Sequence, residues 1–584
     1  MAEKGNGRLP GVGLMVASLL TLHALLALGA LRNDSAVADE PFHLARATGL
    51  VFFRDATFAV SHPPLVNFLD GIPLLTIRGL KLPPPDLVLA SRTMDPSDRR
   101  NAFATLLLDK LNPDAKKLIE RARLSTIVLS VLLGLGVYFW TKKIYGPAPG
   151  LVALFLYSLD PNILAHAHLA TNDLGAVLFI FLALYFCWQL WQEPKFSLLL
   201  LASLFLGLAE LAKFSAILLY PLYILVWPLA LGRLKKQKPD LGWFKLKSPG
   251  FYLSLWSLFI LLIGSLLVIW AGYGFETGLK WNFSPLLNAG VCGLDQLTAR
   301  IKCTTIALLA WLPLPPRTFY YGLARTLVLT EQHENALYFL GQTGDQGWRY
   351  YYPLLFLAKT PLPLLLLTCL RLALRKKIPA TDLLTRIFIA APPLWFFLFF
   401  TFLNRKEIGI RHLLMVYPFI FIFVSGLAAN ATWSQWRKQV LPVLLLAWFG
   451  LSSLATFPKY LTYFSEAVLR RAGGLKISVV GEDWGQDVSS LASFQKKNNL
   501  YPLYYQPYVL VSPRSYGLSF EQLNCEPLKP GAYALHLTQL KRPVRNPSLI
   551  KCVELLGRMP AAYKINGTIW VWKIPGPTPA SPGP

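Results

Sequence analysis

Residues 11–31 read GVGLMVASLLTLHALLALGAL, and residues 32–43 continue RNDSAVADEPFH. A helix rises about 1.5 Å per residue, so a run of this length without a charge is enough to cross about 30 Å of hydrocarbon. It is too long for the core of a signal peptide and lacks a clear small-residue cleavage site. The run, preceded by Lys4 and Arg8, therefore reads as an uncleaved first span. Directly after it, Asp39 and Glu40 place two adjacent acids at a membrane surface, where carboxylates are costly unless solvated or used.

Working outward from that stretch, apolar runs recur at 124–140, 147–159, 174–191, 198–211, 214–231, 251–272, 353–371, 387–403, 413–428 and 440–457. Lipid offers no hydrogen-bond partners, so each is expected to be a helix. The expectation is an α-helical polytopic membrane protein of about eleven spans. Composition agrees: of 584 residues 54% are hydrophobic and only 15% charged, where a soluble chain carries roughly a quarter charged. Mean hydropathy is +0.44.

The formal charge of +26 invites a nucleic-acid reading. The basic residues argue against it, because they cluster in short loops between apolar runs. Lys142 and Lys143 follow the second run, Arg233 to Lys247 the sixth, Arg371 to Lys377 the eighth, and Arg437 with Lys438 the tenth. With a cytoplasmic N-terminus these loops all share the cytoplasmic side, the positive-inside pattern. Three large segments then fall on the opposite side: 32–123, 273–352 and the C-terminal stretch. Apolar patches at 477–480, 508–511 and 568–572 between Pro and Gly turns predict strands, and 458–574 is expected to be a small α/β domain. The Pro-rich tail 575–584 is expected to be disordered. Cys187 and Cys369 sit inside spans, while Cys292 with Cys303 and Cys525 with Cys552 lie in segments where disulfides are permitted; bridged and free states are both open. No period of 20–50 residues repeats, and the halves show no inverted similarity of the kind many transporters carry.

Polar chemistry crowds the outer ends of the spans. Besides Asp39, Glu40 and His43, there are Arg54, Asp55 and His62-Pro63-Pro64-Leu65. His62 also fits a histidine starting a helix. Asp160 to His168 leads into Asp173, which opens the fourth span and suits either a helix cap or a working acid. His166 and His168 alternate without a matching carboxylate, a weak metal signal, and no metal is assigned. Lys213 breaks the positive-inside pattern, as a phosphate contact or a helical pair with Glu210. Lys359 sits six residues into the eighth span, where it must snorkel or face a polar cavity. Arg405, Lys406 and Arg411 again break the charge pattern, and a local anion explains them; Arg offers phosphate a planar fork. Outer acids facing outer cations are what transfer from a lipid phosphate needs: a carboxylate to take the acceptor's proton and cations to hold the phosphate.

At these residues the sequence resembles the GT-C superfamily of membrane glycosyltransferases, most closely the branch of protein O-mannosyltransferases (glycosyltransferase family 39) and aminoarabinose transferases. The likeness rests on Asp39-Glu40, on His62-Pro63-Pro64-Leu65, on Asp173, on Tyr351-Tyr352-Pro353 through Lys359-Thr360-Pro361, on Ile408-Gly409-Ile410-Arg411-His412 and on Glu482-Asp483-Trp484-Gly485-Gln486-Asp487. It runs from about residue 37 to 490. One departure is Val-Val-Gly-Glu482, where the family often has Asp-Ser-Asn. The resemblance implies a transmembrane catalytic unit over 1–457 and an inverting, metal-independent transfer with no cofactor. A sugar would move from a polyprenyl-phosphate carrier to an extracytoplasmic protein Ser/Thr, lipid or glycan. It implies Asp39 as catalytic base, with Glu40 and Asp173 orienting the acceptor. His62 belongs to its substrate-binding element, and side and depth add Lys213, Lys359 and Arg411 as contacts for the carrier phosphate. The expected location is the plasma (inner) membrane with the site and the C-terminal domain extracytoplasmic. A transporter or lipid-linked-sugar flippase shares the many spans, and a scaffolding subunit with an inert acidic pair is a further alternative.

Overall fold

The computed structural model describes residues 11–237, 255–277, 281–288, 297–312, 314–329, 337–344, 347–377, 381–404, 406–429, 436–469, 474–542 and 547–575. Helix α1 (Val12–Asn33) is followed by short helices α2 (Glu40–Phe52), α3 (Pro64–Gly71), α4 (Pro85–Ala90) and α5 (Pro96–Thr105), and then by long α6 (Ala115–Tyr145). Next come α7 (Pro147–Leu159), α8 (Pro161–Ala167), α9 (Asn172–Gln192), α10 (Phe196–Ala212), α11 (Leu219–Gln237) and α12 (Leu255–Gly272). A second group, α13 (Ser284–Leu287), α14 (Leu297–Trp311), α15 (Arg317–Leu329) and the hairpin of β1 (Leu337–Phe339) and β2 (Gln342–Gly344), precedes α16 (Tyr351–Lys359). The helical part closes with α17 (Leu362–Ala373), α18 (Leu383–Phe402), α19 (Val416–Ser425) and α20 (Trp436–Thr456).

Each of the eleven expected intervals is occupied by apolar helix, and the chain is a multi-pass membrane protein. The count of eleven crossings is not itself met by length and composition. Among the described residues five helices are long and apolar enough alone, up to seven if two bent pairs each count once, and four more apolar helices are shorter. Only 33% of the most apolar window of α1 is buried, so most of its apolar surface is left for lipid.

Both bent pairs break at a proline. Asp160-Pro161 turns α7 into α8 by 61°, and Thr360-Pro361 turns α16 into α17 by 104°. The residue before a proline is pushed into extended backbone, and Asp160 adopts φ −69°, ψ 122°. Its carboxylate accepts from the Asn162 and Ile163 amides at 2.9 and 3.0 Å, capping the new helix. At the second break, Pro363 has no N–H to offer the Lys359 carbonyl one turn back. The Asn162 side-chain amide supplies that bond instead, at 2.8 Å. The two breaks are thus hydrogen-bonded to each other.

The helix ends sort to two ends of the bundle. At one, Arg123 near the start of α6 meets Glu40 of α2, and Asn172 at the start of α9 reaches the Ala212 carbonyl at the end of α10. At the other, Lys143 meets Gln189 and Gln192 meets Asp382.

After α21 (Glu466–Leu469) the chain forms a five-stranded sheet with α22 (Val488–Lys497), α23 (Leu537–Lys541) and α24 (Pro547–Gly557). Strands β3 (Leu503–Tyr505), β4 (Glu521–Gln522), β5 (Gly531–His536), β6 (Tyr563–Ile565) and β7 (Ile569–Ile574) lie in the order β4-β3-β5-β7-β6. β3 is parallel to β4 and β5, while β7 is antiparallel to β5 and β6. Successive side chains alternate in face: Ala532 and Ala534 pack with Leu491 of α22, and Tyr533 and Leu535 pack with Leu549 and Leu556 of α24.

Of the three patches expected to be strands, only 568–572 is one, as β7. The 477–480 stretch is a turn whose Ile477 carbonyl accepts from Leu340 at 2.8 Å. The 508–511 stretch is irregular, with Val511 buried among Leu44, Leu107 and Leu118. Neither pairs in a ladder with a strand, and apolar character alone forms none. Cys187 and Cys369 are free thiols. Cys303 is disulfide-bonded, and Cys292, Lys238, Lys245 and Lys247 of the basic cluster after α11, Arg405 and residues 576–584 lie outside the described residues.

Cys525 and Cys552 are bridged across a sequence separation of 27, tying α24 to the segment after β4. Closing a loop of that size stabilises by about 3 kcal/mol in the chain-entropy view. Replacing Cys552→Ser is therefore expected to make the sheet region markedly more protease-sensitive in urea; unchanged resistance would show that the bridge contributes nothing.

Candidate functional site

The residues between α1 and α2 cannot continue either helix, because their backbone is claimed by a distant stretch. The Ser35 amide donates to the Gln486 carbonyl at 2.8 Å and the Ala38 amide to the Trp484 carbonyl at 2.9 Å. Asp34 is buried and accepts from Lys459 at 2.9 Å, and Lys459 also meets Asp487 at 2.9 Å. The Asp-Trp-Gly-Gln-Asp element is therefore a buttress for the segment that delivers Asp39.

Asp39 occupies the N-cap position of α2, but its side chain makes no cap bond. It accepts from Arg411 Nη1 at 2.6 Å instead. The same Nη1 lies 3.9 Å from Asp173 Oδ2, and Asp173 Oδ1 accepts from Lys213 at 2.6 Å. Two acids and two cations from four separate stretches thus alternate in one row: Asp39, Arg411, Asp173, Lys213. Of the two acids Asp39 is the open one, its side chain 37% exposed against 4% for Asp173. Burial raises the Asp39 pKa, and the charge and hydrogen bond of Arg411 outweigh it, holding the carboxyl below its ordinary value.

Arg411 is itself held. Its Nε donates to the Ile408 carbonyl at 3.0 Å, and its guanidinium lies 4.4 Å from the centre of the Trp484 ring, a favourable cation–π placement. The loop that carries it is pinned by the Tyr-Tyr pair: the Gly409 amide donates to Tyr351 Oη at 3.0 Å, and Tyr352 Oη donates to the Lys406 carbonyl at 2.6 Å. Gly409 has φ +84°, and a Cβ there would sit 2.7 Å from the Val480 carbonyl. Backbone meets backbone at that point, so a side chain is excluded.

His62 stacks on His43 with ring centroids 5.3 Å apart, and its Nδ1 accepts from Asn172 at 3.2 Å. Burial, then the charges of Arg46, His43 and Lys213, push its pKa well below normal, leaving it neutral at pH 7. His43 is pushed down to about 4, chiefly by burial.

Two expected site residues stand apart from the row. Glu40 is wholly buried, and its carboxylate is saturated: Arg123 binds both oxygens at 2.7 and 2.8 Å, and the Val37 and Ala170 amides donate at 2.8 and 2.9 Å. It has no face left to orient an acceptor and instead fixes the chain that positions Asp39. Lys359 is buried, donating to the Leu461 carbonyl at 2.9 Å beside Glu482 at 3.6 Å. Its charge is answered by the acid standing where the family pattern departs, so it holds the broken helix rather than facing the row. Lys213 does not pair with Glu210, whose carboxylate oxygens are buried without a hydrogen bond.

Among the described residues no three His, Cys, Asp or Glu side chains are placed to hold a metal ion. His168 spends both ring nitrogens, on the Leu164 carbonyl at 2.8 Å and Asp34 at 3.1 Å.

Sequence reasoning missed Arg123, Asn172 and Arg46, and the contact of Trp484 with Arg411. The spacing Asp39, His43, Arg46 marks one helical face and could have revealed the last. No local signal links Arg123 to Glu40.

Residues 115–270 match the model of the dolichyl-phosphate-mannose-protein mannosyltransferase family. No curated protein matches the chain. Among solved structures it is similar to ArnT from Cupriavidus metallidurans bound to undecaprenyl phosphate, at TM-score 0.47 and 12% identity over 96% of this chain and 97% of that one. It is also similar to the apo oligosaccharyltransferase of Archaeoglobus fulgidus, at TM-score 0.39 and 12% identity over 83% and 58%.

Removing one partner of a wholly buried ion pair costs about 3–5 kcal/mol. Arg123→Met is expected to lose most folded protein on purification, and Glu40→Gln with Arg123→Met to recover part of it. Normal yield and melting of the single variant would show that the pair does not organise the site.

Proposed function

We propose, from the premise that the chain is a GT-C superfamily glycosyltransferase, that it moves a sugar from a polyprenyl-phosphate carrier to an acceptor hydroxyl at the Asp39–Arg411–Asp173–Lys213 row. The observation that carries this reading is that Arg411 is shared by Asp39 and Asp173, of which only Asp39 is open to a substrate. The description of the matched family supports a lipid-phosphate sugar as donor.

In this reading the acceptor oxygen attacks the sugar's anomeric carbon as Asp39 takes its proton. The bond from that carbon to the phosphate oxygen breaks, and the phosphate leaves with the electron pair. Attack opposite the leaving group inverts the anomeric centre. A phosphate leaves well without protonation, so no general acid is needed, unlike the paired carboxyls of glycoside hydrolysis. Arg411 and Lys213 stabilise the charge growing on the phosphate, His62 serves as a neutral hydrogen-bonding wall, and Asp173 holds both cations in place. Acceptor candidates are a protein Ser/Thr, a lipid or a glycan.

Sidedness follows the basic residues. Lys143 lies at the end of α6 away from Arg123, and Arg371 packs beside Tyr145 and Gly426 at that same end. Assigning it to the cytoplasm puts the row and the C-terminal sheet on the extracytoplasmic face of the plasma membrane. A catalytic transmembrane unit of 1–457 with a C-terminal unit of 458–574 fits this reading, provided 484–487 is counted as support for the site.

With labelled polyprenyl-phosphate sugar and purified enzyme, Asp39→Asn is expected to cut turnover by roughly 10²–10⁴-fold while the protein stays folded. Near-normal turnover would remove Asp39 as base. The pH dependence tests Arg411. Asp39 must be ionised to act, and Arg411 depresses its pKa, so activity is lost only as pH falls below the usual carboxylate range. Arg411→Gln leaves burial as the larger influence and raises that pKa, so the acid limb of the kcat profile is expected to move to higher pH. An unmoved limb would break the link between the two residues.

A further inference from the structure

Asp39, His43 and Arg46 follow one another at intervals of four and three residues along one face of α2, as neighbours do on a helix. The first two belong to the site already described, and Arg46 lies one turn further on. It lines a narrow cleft beside that site with Thr57, Ser61, Arg92, Arg99 and Arg100, open to solvent at its mouth.

Arg46 is only 2% exposed. Among the described residues it makes no hydrogen bond and no ion pair. The acids nearby are already engaged. Asp55 accepts from Arg92 at 3.0 Å and Arg99 at 2.9 Å, and Asp95 from Arg325 at 3.4 Å. Burial and the charge of Arg100, with Arg325 behind it, push the Arg46 guanidinium down to about 9 against the pull of Asp39, whose carboxylate is already taken by Arg411. A buried, unpaired guanidinium with cations for neighbours is costly, and an anion in the cleft is the partner that would relieve it. The guanidinium fork suits phosphate oxygens, and the Ser61 hydroxyl, accepting from Arg325 at 3.3 Å, still has its own proton to donate.

We propose that this cleft is an anion subsite in which Arg46 receives a phosphate group, either that of the carrier lipid or one borne by the acceptor. The proposal rests on the transferase reading only for which molecule brings the phosphate.

The test is thermal unfolding of the full-length protein in detergent at constant ionic strength, with inorganic phosphate and with a short polyprenyl phosphate. Both ligands are expected to raise the midpoint of the wild-type chain. Arg46→Gln is expected to be at least as stable without ligand, since a buried charge is removed, and to lose the rise with inorganic phosphate; Arg46→Lys should keep part of it. Loss of the rise with polyprenyl phosphate as well assigns the carrier; its retention assigns a phosphate on the acceptor. An equal rise with inorganic phosphate in Arg46→Gln and wild type, or no rise in either, overturns the subsite. Asp39→Asn should keep the phosphate response while losing turnover. If the wild-type chain consumes no labelled polyprenyl-phosphate sugar, the transferase reading fails while the anion response stands by itself.

Discussion

A carboxylate that stays ionised with no access to water must be answered by charge and hydrogen bonds, and Glu40 is answered completely. Arg123 faces both of its oxygens, and the guanidinium's remaining protons go to the Leu31, Asp34 and Ser35 carbonyls at 2.7–3.1 Å. One ion pair thereby joins the end of α1, the start of α2, the shoulder of α6 and, through the Ala170 amide, the approach to α9. In low dielectric such a pair tolerates little displacement, because an unmatched charge there is expensive. The neighbouring Asp39 inherits that fixity while keeping its own carboxylate open.

Around this anchor the same stretch of chain serves two purposes. Residues 484–486 hold the segment before Asp39 through backbone bonds, and Trp484 lies against Arg411 from the other side. Asp39 and Arg411 therefore share one support. A Cβ on Gly409 would meet the Gly481 Cα at 3.4 Å as well as the Val480 carbonyl, so the loop bearing Arg411 is seated against main chain, where substitution of neighbouring side chains disturbs it least.

Much of this was legible in the sequence. Among the described residues the apolar runs located every helix long and apolar enough to cross a membrane, because lipid imposes one solution on them. Asp39, Asp173, Lys213 and Arg411 could be drawn together since each violates a bias for its depth or side. What the residues did not reveal was which charges cancel. Glu40 and Asp39 are adjacent and chemically alike, yet one is sealed by an arginine 83 positions away and the other is not. Lys359 likewise looks available until Glu482, from beyond the last span, is seen beside it. The turns at 477–480 and 508–511 were misread because strand character depends on a neighbour that a single segment cannot supply.

The bond from Asn162 to the Lys359 carbonyl joins two helices that are each interrupted. An interrupted helix alone is a hinge. Two hinges stitched at their pivots form a truss, and neither half can swing without dragging the other. Tyr417 fastens the same joint, its hydroxyl reaching Thr360 at 3.0 Å and Asn162 at 3.3 Å. Motion within the bundle must then be sought in helices outside this joint, leaving the crossbar itself at rest.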